Sequence, residues 1–229
     1  MFSYYGSKSK IARRYPRPQH SIIVEPFAGA AHYSVYHAIR GNIEKAILIE
    51  KNPRIAGVWR WLISASEDEI ANLPIFKAGE FVSYPKNIHA QRFLRMQHHR
   101  GRSDGHERAG SFLKGRNERD AQASIMRVAS SVKYIRNFEI IEGGYHLAPD
   151  IKATWFVDPP YQHAGGNSYA YGPDRIPYDD LARRVKQWRG LKIVCEGKDA
   201  DWLPFRFFLR QQGGKSTAPA EYIYMGRRA

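Results

Sequence analysis

The tetrapeptide Asp158-Pro159-Pro160-Tyr161 follows the apolar run Ala153-Thr154-Trp155-Phe156-Val157. An apolar run of this length, closed by a turn signal, predicts a buried strand. Each proline fixes φ and lacks a backbone N–H, so two in succession cannot extend a sheet. The strand must end at Asp158, leaving a carboxylate, a rigid turn and an aromatic ring at its carboxyl edge. In open α/β sheets that edge is where ligand crevices form. A plain strand-ending turn would also select Asp and Pro, so the rest of the chain has to decide between the two.

Short apolar strands and helical stretches alternate on either side of this motif, which predicts an α/β core. Ser21-Ile22-Ile23-Val24 reads as a buried strand, with a helix over residues 32–40 stopped by Gly41-Asn42. Ala46-Ile47-Leu48-Ile49 is the next strand. A helix over residues 54–64 then has Ile55, Val58, Trp59 and Leu62 on one face. The rhythm resumes with strands at 138–141 and 153–157, a helix over 178–188, and strands at 191–195 and 221–225. Between them, residues 66–137 are polar, basic and punctuated by Gly101, Gly105, Gly110 and Gly115. They read as an insertion, partly helix and partly loop, dividing a domain formed by residues 1–65 and 138–229. A chain of 229 residues suits one large domain or a core with an insertion.

No apolar run approaches the length of a membrane span. Residues 1–17 are basic without an apolar segment, which argues against a signal peptide. A single cysteine, Cys195 in an apolar stretch, excludes a disulfide within the chain and fits core packing in a reducing compartment. No Cys/His spacing resembles a zinc site. The formal net charge is +14, which suggests a polyanionic partner. Residues 86–136 hold twelve Lys and Arg against four acids, a local excess of +8. His98, His99 and His106 in this stretch read as surface or phosphate-contacting groups rather than metal ligands.

Phe27-Ala28-Gly29-Ala30-Ala31 places small residues between a strand and a helix. There a ligand can approach the backbone closely at a helix N-terminus. The pattern is not G-x-G-x-x-G, which disfavours NAD. Glu50 closes the second strand about twenty residues further on, where an acid can accept from both ribose hydroxyls. The two features together favour an adenosine-containing ligand. Tyr4-Tyr5-Gly6-Ser7-Lys8 could form one wall of its pocket.

In this order, Tyr4 to Lys8, then Glu25-Pro26-Phe27-Ala28-Gly29-Ala30-Ala31, then the basic stretch, then Asp158 to Tyr161, the chain resembles the Dam-type adenine family of amino-directed DNA methyltransferases. Tyr169-Ala170-Tyr171 and Tyr178-Asp179-Asp180-Leu181 resemble the segment after the Asp-Pro-Pro-Tyr motif in that family. Ala31 departs from the family pattern by replacing its second glycine. The resemblance implies a methyltransferase-type Rossmann-like fold, with a mostly parallel mixed sheet and helices on both faces. It implies S-adenosylmethionine as methyl donor, held by Tyr4, Tyr5, Gly6, Lys8, Glu25, Pro26, Phe27, Gly29, Ala30, Glu50, Asn52 and Asp158, with a residue near Glu142 at its adenine. It implies a site-specific enzyme that methylates N6 of an adenine turned out of double-stranded DNA, without a metal, in the cytoplasm of a bacterial or phage-infected cell, with a monomer favoured.

An exocyclic amine conjugated into a ring is a poor nucleophile. Asp158 and the Pro159 carbonyl would accept its two N–H groups, Pro160 would stiffen the turn, and Tyr161 would stack on the base. Lys and Arg of the insertion would hold phosphates, while Gln91, Gln97, Asn117 and Gln122 are candidates for reading base edges. The alternatives are methylation of cytosine N4 or of RNA, and a non-catalytic DNA-binding protein on the same scaffold.

Overall fold

The computed structural model of the chain describes residues 2, 4, 6–99, 107–110, 116–163, 171–210 and 220–228. Tyr5, Gly101, Gly105, His106, Gly115, Tyr169 and Ala170 lie outside them, as does the side chain of Asn117.

The apolar runs become strands β1 (Ile22–Glu25), β2 (Lys45–Glu50), β3 (Glu139–Glu142), β4 (Lys152–Val157) and β5 (Arg189–Glu196). All are paired parallel, in the order β3-β2-β1-β4-β5. Side chains alternate across a strand, and in β1, β2, β4 and β5 both sides are buried. Ile23, Leu48, Phe156, Ile193 and Cys195 enter one core. Their neighbours Val24, Ile49, Trp155, Val157 and Val194 enter the other. Burial on both faces is why these strands read as continuous apolar runs rather than alternating ones.

Two antiparallel strands complete the sheet: β7 (Ala220–Arg228) beside β5, and β6 (Arg206–Arg210) on the outer edge. The edge strand β6 has no counterpart among the strands expected from sequence. It carries an arginine at each end and leaves Phe207 55% exposed, so no buried apolar pattern marks it. The result is a seven-stranded, mostly parallel mixed sheet with helices on both faces, the Rossmann-like α/β architecture expected.

Helices α1 (His32–Ile39) and α2 (Pro53–Ser64) cover one face, and α6 (Tyr178–Gln187) the other. On α2 the predicted stripe Ile55, Val58, Trp59 and Leu62 is fully buried. Asn52 caps this helix by accepting from the Arg54 N–H at 3.0 Å, and Pro53 occupies its first turn.

Within residues 66–137 the structure has α3 (Glu67–Ala71), α4 (Ile88–His98) and α5 (Arg116–Ala129). Ser66 accepts from the Glu69 N–H at 3.0 Å, an N-cap at S-x-x-E spacing. Asn87 caps α4 through the His89 and Ala90 N–H groups. Ala90, Phe93, Leu94, Ile125 and Val128 join the same core as Trp59 and Trp61 of α2.

Two expectations fail here for the same reason. Gln97 is buried, with its carbonyl accepting from Ser124 Oγ at 2.6 Å, so it has no access to base edges. His98 is 4% exposed, accepts from the Phe76 N–H and is pushed down to about 4 by burial. It is a neutral core group, not a surface or phosphate-contacting one. Gln91 accepts from the Tyr84 N–H at 2.6 Å, and Gln122 is exposed on α5.

Candidate active site

Strand order reverses at β1 and β4, because β2 and β3 lie on one side of β1 and β4 and β5 on the other. The carboxyl ends of these two strands therefore diverge into a crevice. Glu25 ends β1 and Asp158 follows β4, so the crevice has an acid on each wall.

The turn after β1 is tied down from several directions. Glu25 is 2% exposed, and its Oε1 accepts the Ser34 N–H of the first turn of α1 at 2.8 Å. Burial pushes this carboxyl up to about 8, against the pull of that bond. Gly29 adopts φ +46°, and a Cβ there would stand 3.2 Å from the Tyr4 ring, so a side chain would crowd the N-terminal strap. Ala31 also has positive φ, +43°, although its methyl is buried. The left-handed cost of roughly 1–2 kcal/mol is partly offset by burying that methyl, worth about 0.8 kcal/mol. The Ala28 N–H reaches Ile49 O at 3.0 Å, and Trp59 Nε1 donates to Gly29 O at 2.7 Å.

Glu50 joins this turn to the next. Its Oε2 accepts the Gly29 N–H at 2.9 Å and its Oε1 the Asn52 N–H at 2.8 Å. Burial pushes it up to about 7, opposed by those amides. A carboxylate has about four acceptor positions, so each oxygen keeps capacity for a ligand hydroxyl.

Around Asp158 lies a buried polar network. The Lys8 ammonium stands 3.0 Å from Asp158 Oδ1 and 3.3 Å from Glu221 Oε1, and donates to the Tyr161 hydroxyl at 2.5 Å. Tyr161 in turn donates to Glu221 Oε1 at 2.6 Å, and Tyr15 donates to the same oxygen at 2.7 Å. Burial disfavours the charge on Lys8, but Asp158 and Glu221 outweigh it and hold the amine well above its usual range. Burial raises Asp158 above the ordinary carboxylate range, opposed by Lys8 and reinforced by Glu221. Burial likewise raises the phenols of Tyr15 and Tyr161. Among the described residues, Asp158, Cys195 and Glu221 form the one cluster close enough to hold a metal ion. The Lys8 ammonium already supplies a cation there. Cys195 is a buried free thiol, as its apolar surroundings predicted.

Strap, turns and strand ends enclose a cavity of about 360 Å³, within the range of small-molecule sites. Of the residues singled out from sequence, Tyr4, Gly6, Lys8, Glu25, Pro26, Phe27, Gly29, Ala30, Glu50, Asn52, Asp158 and Pro160 line it. Pro159 is buried outside its wall, and the Pro160 carbonyl accepts from the Tyr178 hydroxyl at 2.6 Å. Tyr161 is not part of the wall; its hydroxyl is committed to the network, and the Lys8 nitrogen lies 4.7 Å over its ring. Glu142 also departs from expectation. It is half exposed, pairs with Arg60 at 2.7 Å and does not border the cavity.

Tyr145 and His146, just beyond the Gly143-Gly144 turn, line the cavity instead. Tyr145 packs on Phe27 at 5.6 Å and donates to Asp180 at 2.9 Å. Sequence reasoning missed Tyr145, His146 and Glu221. A Gly-Gly pair directly after a strand was the available signal for the first two, and nothing local marked Glu221.

A second groove of about 470 Å³ runs behind the strap, between α1 and α5. Its lining includes Arg40, Arg127, Ser9, Ser124 and Ser131 and, among the described residues, no acid. It shares Ser7 and His32 with the first cavity, and these two are hydrogen-bonded at 3.1 Å.

No protein-family model matches the chain, and no curated protein matches its sequence. Among solved structures, the chain is similar to "Putative methyltransferase yhhF from Escherichia coli", at 10% identity and a TM-score of 0.39. The match covers 91% of this chain and 76% of that one.

Proposed function

We propose that the protein transfers a methyl group from S-adenosylmethionine to the N6 amine of an adenine turned out of DNA. The observation that carries this reading is the position of the Asp158 carboxylate. It stands on the wall of a switch-point cavity that also contains the Gly29 turn and Glu50. The donor fits these residues: the missing side chain at Gly29 leaves room against Tyr4, and both Glu50 oxygens can still accept from ribose hydroxyls. Tyr145 and Phe27 offer apolar faces to a purine.

When bound, the donor supplies an electrophilic methyl on a sulfonium, which departs as a neutral thioether. In such a transfer the amine nitrogen would gain the methyl as the S–CH3 electron pair stays with sulfur, and the amine proton would pass by way of Asp158 to solvent. The chain's part is to make the amine nucleophilic. Asp158 accepts one N–H. This reading gives the other N–H to the Pro159 carbonyl; Pro159 is buried outside the cavity wall, so the turn has to shift to present it. Stacking of the base on Tyr161 requires the Lys8 ammonium, 4.7 Å over that ring, to leave it and the ring to turn to the cavity. Held protonated by two carboxylates, Lys8 has no lone pair and does not compete for the methyl group.

The groove with Arg40 and Arg127 supports DNA as the partner, since it offers cations without acids beside the strap. To test the function, the protein is incubated with donor and DNA, the DNA is digested to nucleosides, and methyladenine is sought by mass. Absence of product across varied DNA, with a working enzyme alongside, would overturn the reading. The ion pair on Asp158 favours one alternative, a non-catalytic DNA-binding protein on this scaffold. Donor failing to bind in a calorimetric titration would identify it.

A further inference from the structure

Glu221 lies on β7, across β5 from the strand that bears Asp158, and is absent from the cavity wall. It is 2% exposed, and its Oε1 receives two phenolic hydroxyls while standing 3.3 Å from an ammonium. A buried carboxylate with this many claims on one oxygen is costly where apolar packing would serve. Two of the three groups it holds lead to Asp158. Tyr161 belongs to the same turn as Asp158, Lys8 is shared between the two carboxylates, and Tyr15 competes with both for the Glu221 oxygen.

The ammonium therefore sits in a contest. Whatever weakens Glu221 sends Lys8 further onto Asp158, and whatever strengthens it draws Lys8 away. Asp158 needs free negative charge to accept an amine N–H, and Lys8 consumes that charge. We propose that Glu221 is a positioning residue for the reaction: it holds Lys8 and Tyr161 so that the Asp158 carboxylate stays available to the substrate amine. This inference rests on the amine-methylation reading for its catalytic consequence, although the charge balance itself does not.

Among the described residues, the groups facing Asp158 are Lys8 from the strap, Tyr15 beyond it, Glu25 from β1, Tyr161 from its own turn, Cys195 and Glu196 from β5, and Glu221 from β7. Of these, Lys8 is the one cation, and Glu221 is the carboxylate that shares it with Asp158. Two variants read the balance in opposite senses. Glu221→Gln removes the competitor, so the Asp158 titration midpoint falls. Tyr15→Phe removes a donor from Glu221 and leaves it freer for Lys8, so the midpoint rises.

Carbon-13 NMR of the carboxyls, with Asp158→Asn to assign the signal, measures both midpoints in the protein without donor or DNA. In the methylation assay, Glu221→Gln should lower kcat by about tenfold or more, approaching the roughly 10²-fold cost of a misplaced group. Donor affinity by calorimetry should stay within about twofold, since Glu221 does not touch the cavity. Its pH–rate profile should move to lower pH on the acid side, which a merely structural role would not produce.

A midpoint unchanged in Glu221→Gln, or displaced in the same direction by both variants, overturns the proposal. Should Glu221→Gln not fold, an unmoved Tyr15→Phe midpoint overturns it equally. Wild type failing to methylate would refute the function proposed above while leaving the NMR result to stand or fall separately.

Discussion

Asp158 is an acid in a crevice with one cation beside it and several acids nearby, and its chemistry is set by that balance. Asp158→Ala should reduce methyl transfer by more than about 10²-fold, while calorimetry still detects donor binding. Activity retained in this variant would refute the assigned role. Glu25 and Glu50 make a different, pH-dependent contribution. Their folded values rise from 4.5 to about 8 and about 7, mainly through burial. A carboxyl raised in the fold favours folding while protonated, so its stability is full below the unfolded value and is lost as pH climbs through the folded one. A tenfold change in proton affinity corresponds to about 1.4 kcal/mol. Glu25→Gln removes this loss while keeping an oxygen for the Ser34 N–H. Its melting temperature should therefore gain on wild type as pH rises from about 5 to about 8. Parallel melting curves across that range would show that Glu25 is not the group responsible.

At the scale of elements, the turns and strand pairs position these residues. The β4–β5 pair brings the Asp158 turn beside Glu196, whose oxygen accepts the Gln162 N–H at 3.1 Å. At the start of that pair Gly190 has φ +99°, and a Cβ there would stand 2.1 Å from the Ala153 carbonyl. Gly190→Ala should destabilise the protein by more than about 3 kcal/mol in urea unfolding, because neither backbone can yield without breaking the ladder. A loss under about 0.5 kcal/mol would mean this pairing is wrong. Strands β1, β2, β4 and β5 and the stripe on α2 were legible because burial on two faces and helical periodicity are written in short windows. The edge strand β6 was not, since its arginines and exposed Phe207 fit no buried pattern. Gln97 and His98 looked polar and available, yet α4 turns them into the interface with α5 and the segment around Phe76.

For the whole molecule, charge and connectivity decide what the site can meet. The net charge of +14 describes attraction to a polyanion in general, whereas the groove combines Arg40 of the β1–β2 crossover with Arg127 of α5. Each phosphate no longer neutralised should lower the slope of log affinity against log salt by about 0.9. Arg40→Ala with Arg127→Ala should thus reduce that slope by about 2, while the exposed Arg183→Ala leaves it unchanged. Equal slopes in the double variant and wild type would exclude the groove as a phosphate track. The sequence by itself determined the α/β rhythm, the strand ending in Asp158 and the small-residue turn before α1, because proline geometry and side-chain alternation act within a few residues. Only the tertiary structure decided that Lys8 would neutralise Asp158, that Tyr161 would face inward and that Glu221 would bind both. Lys8 and Tyr161 are 153 residues apart, and Glu221 reaches both through a strand order that places β7 beside β5. The balance of charge at the site is a property of that order, to which no short window of the chain has access.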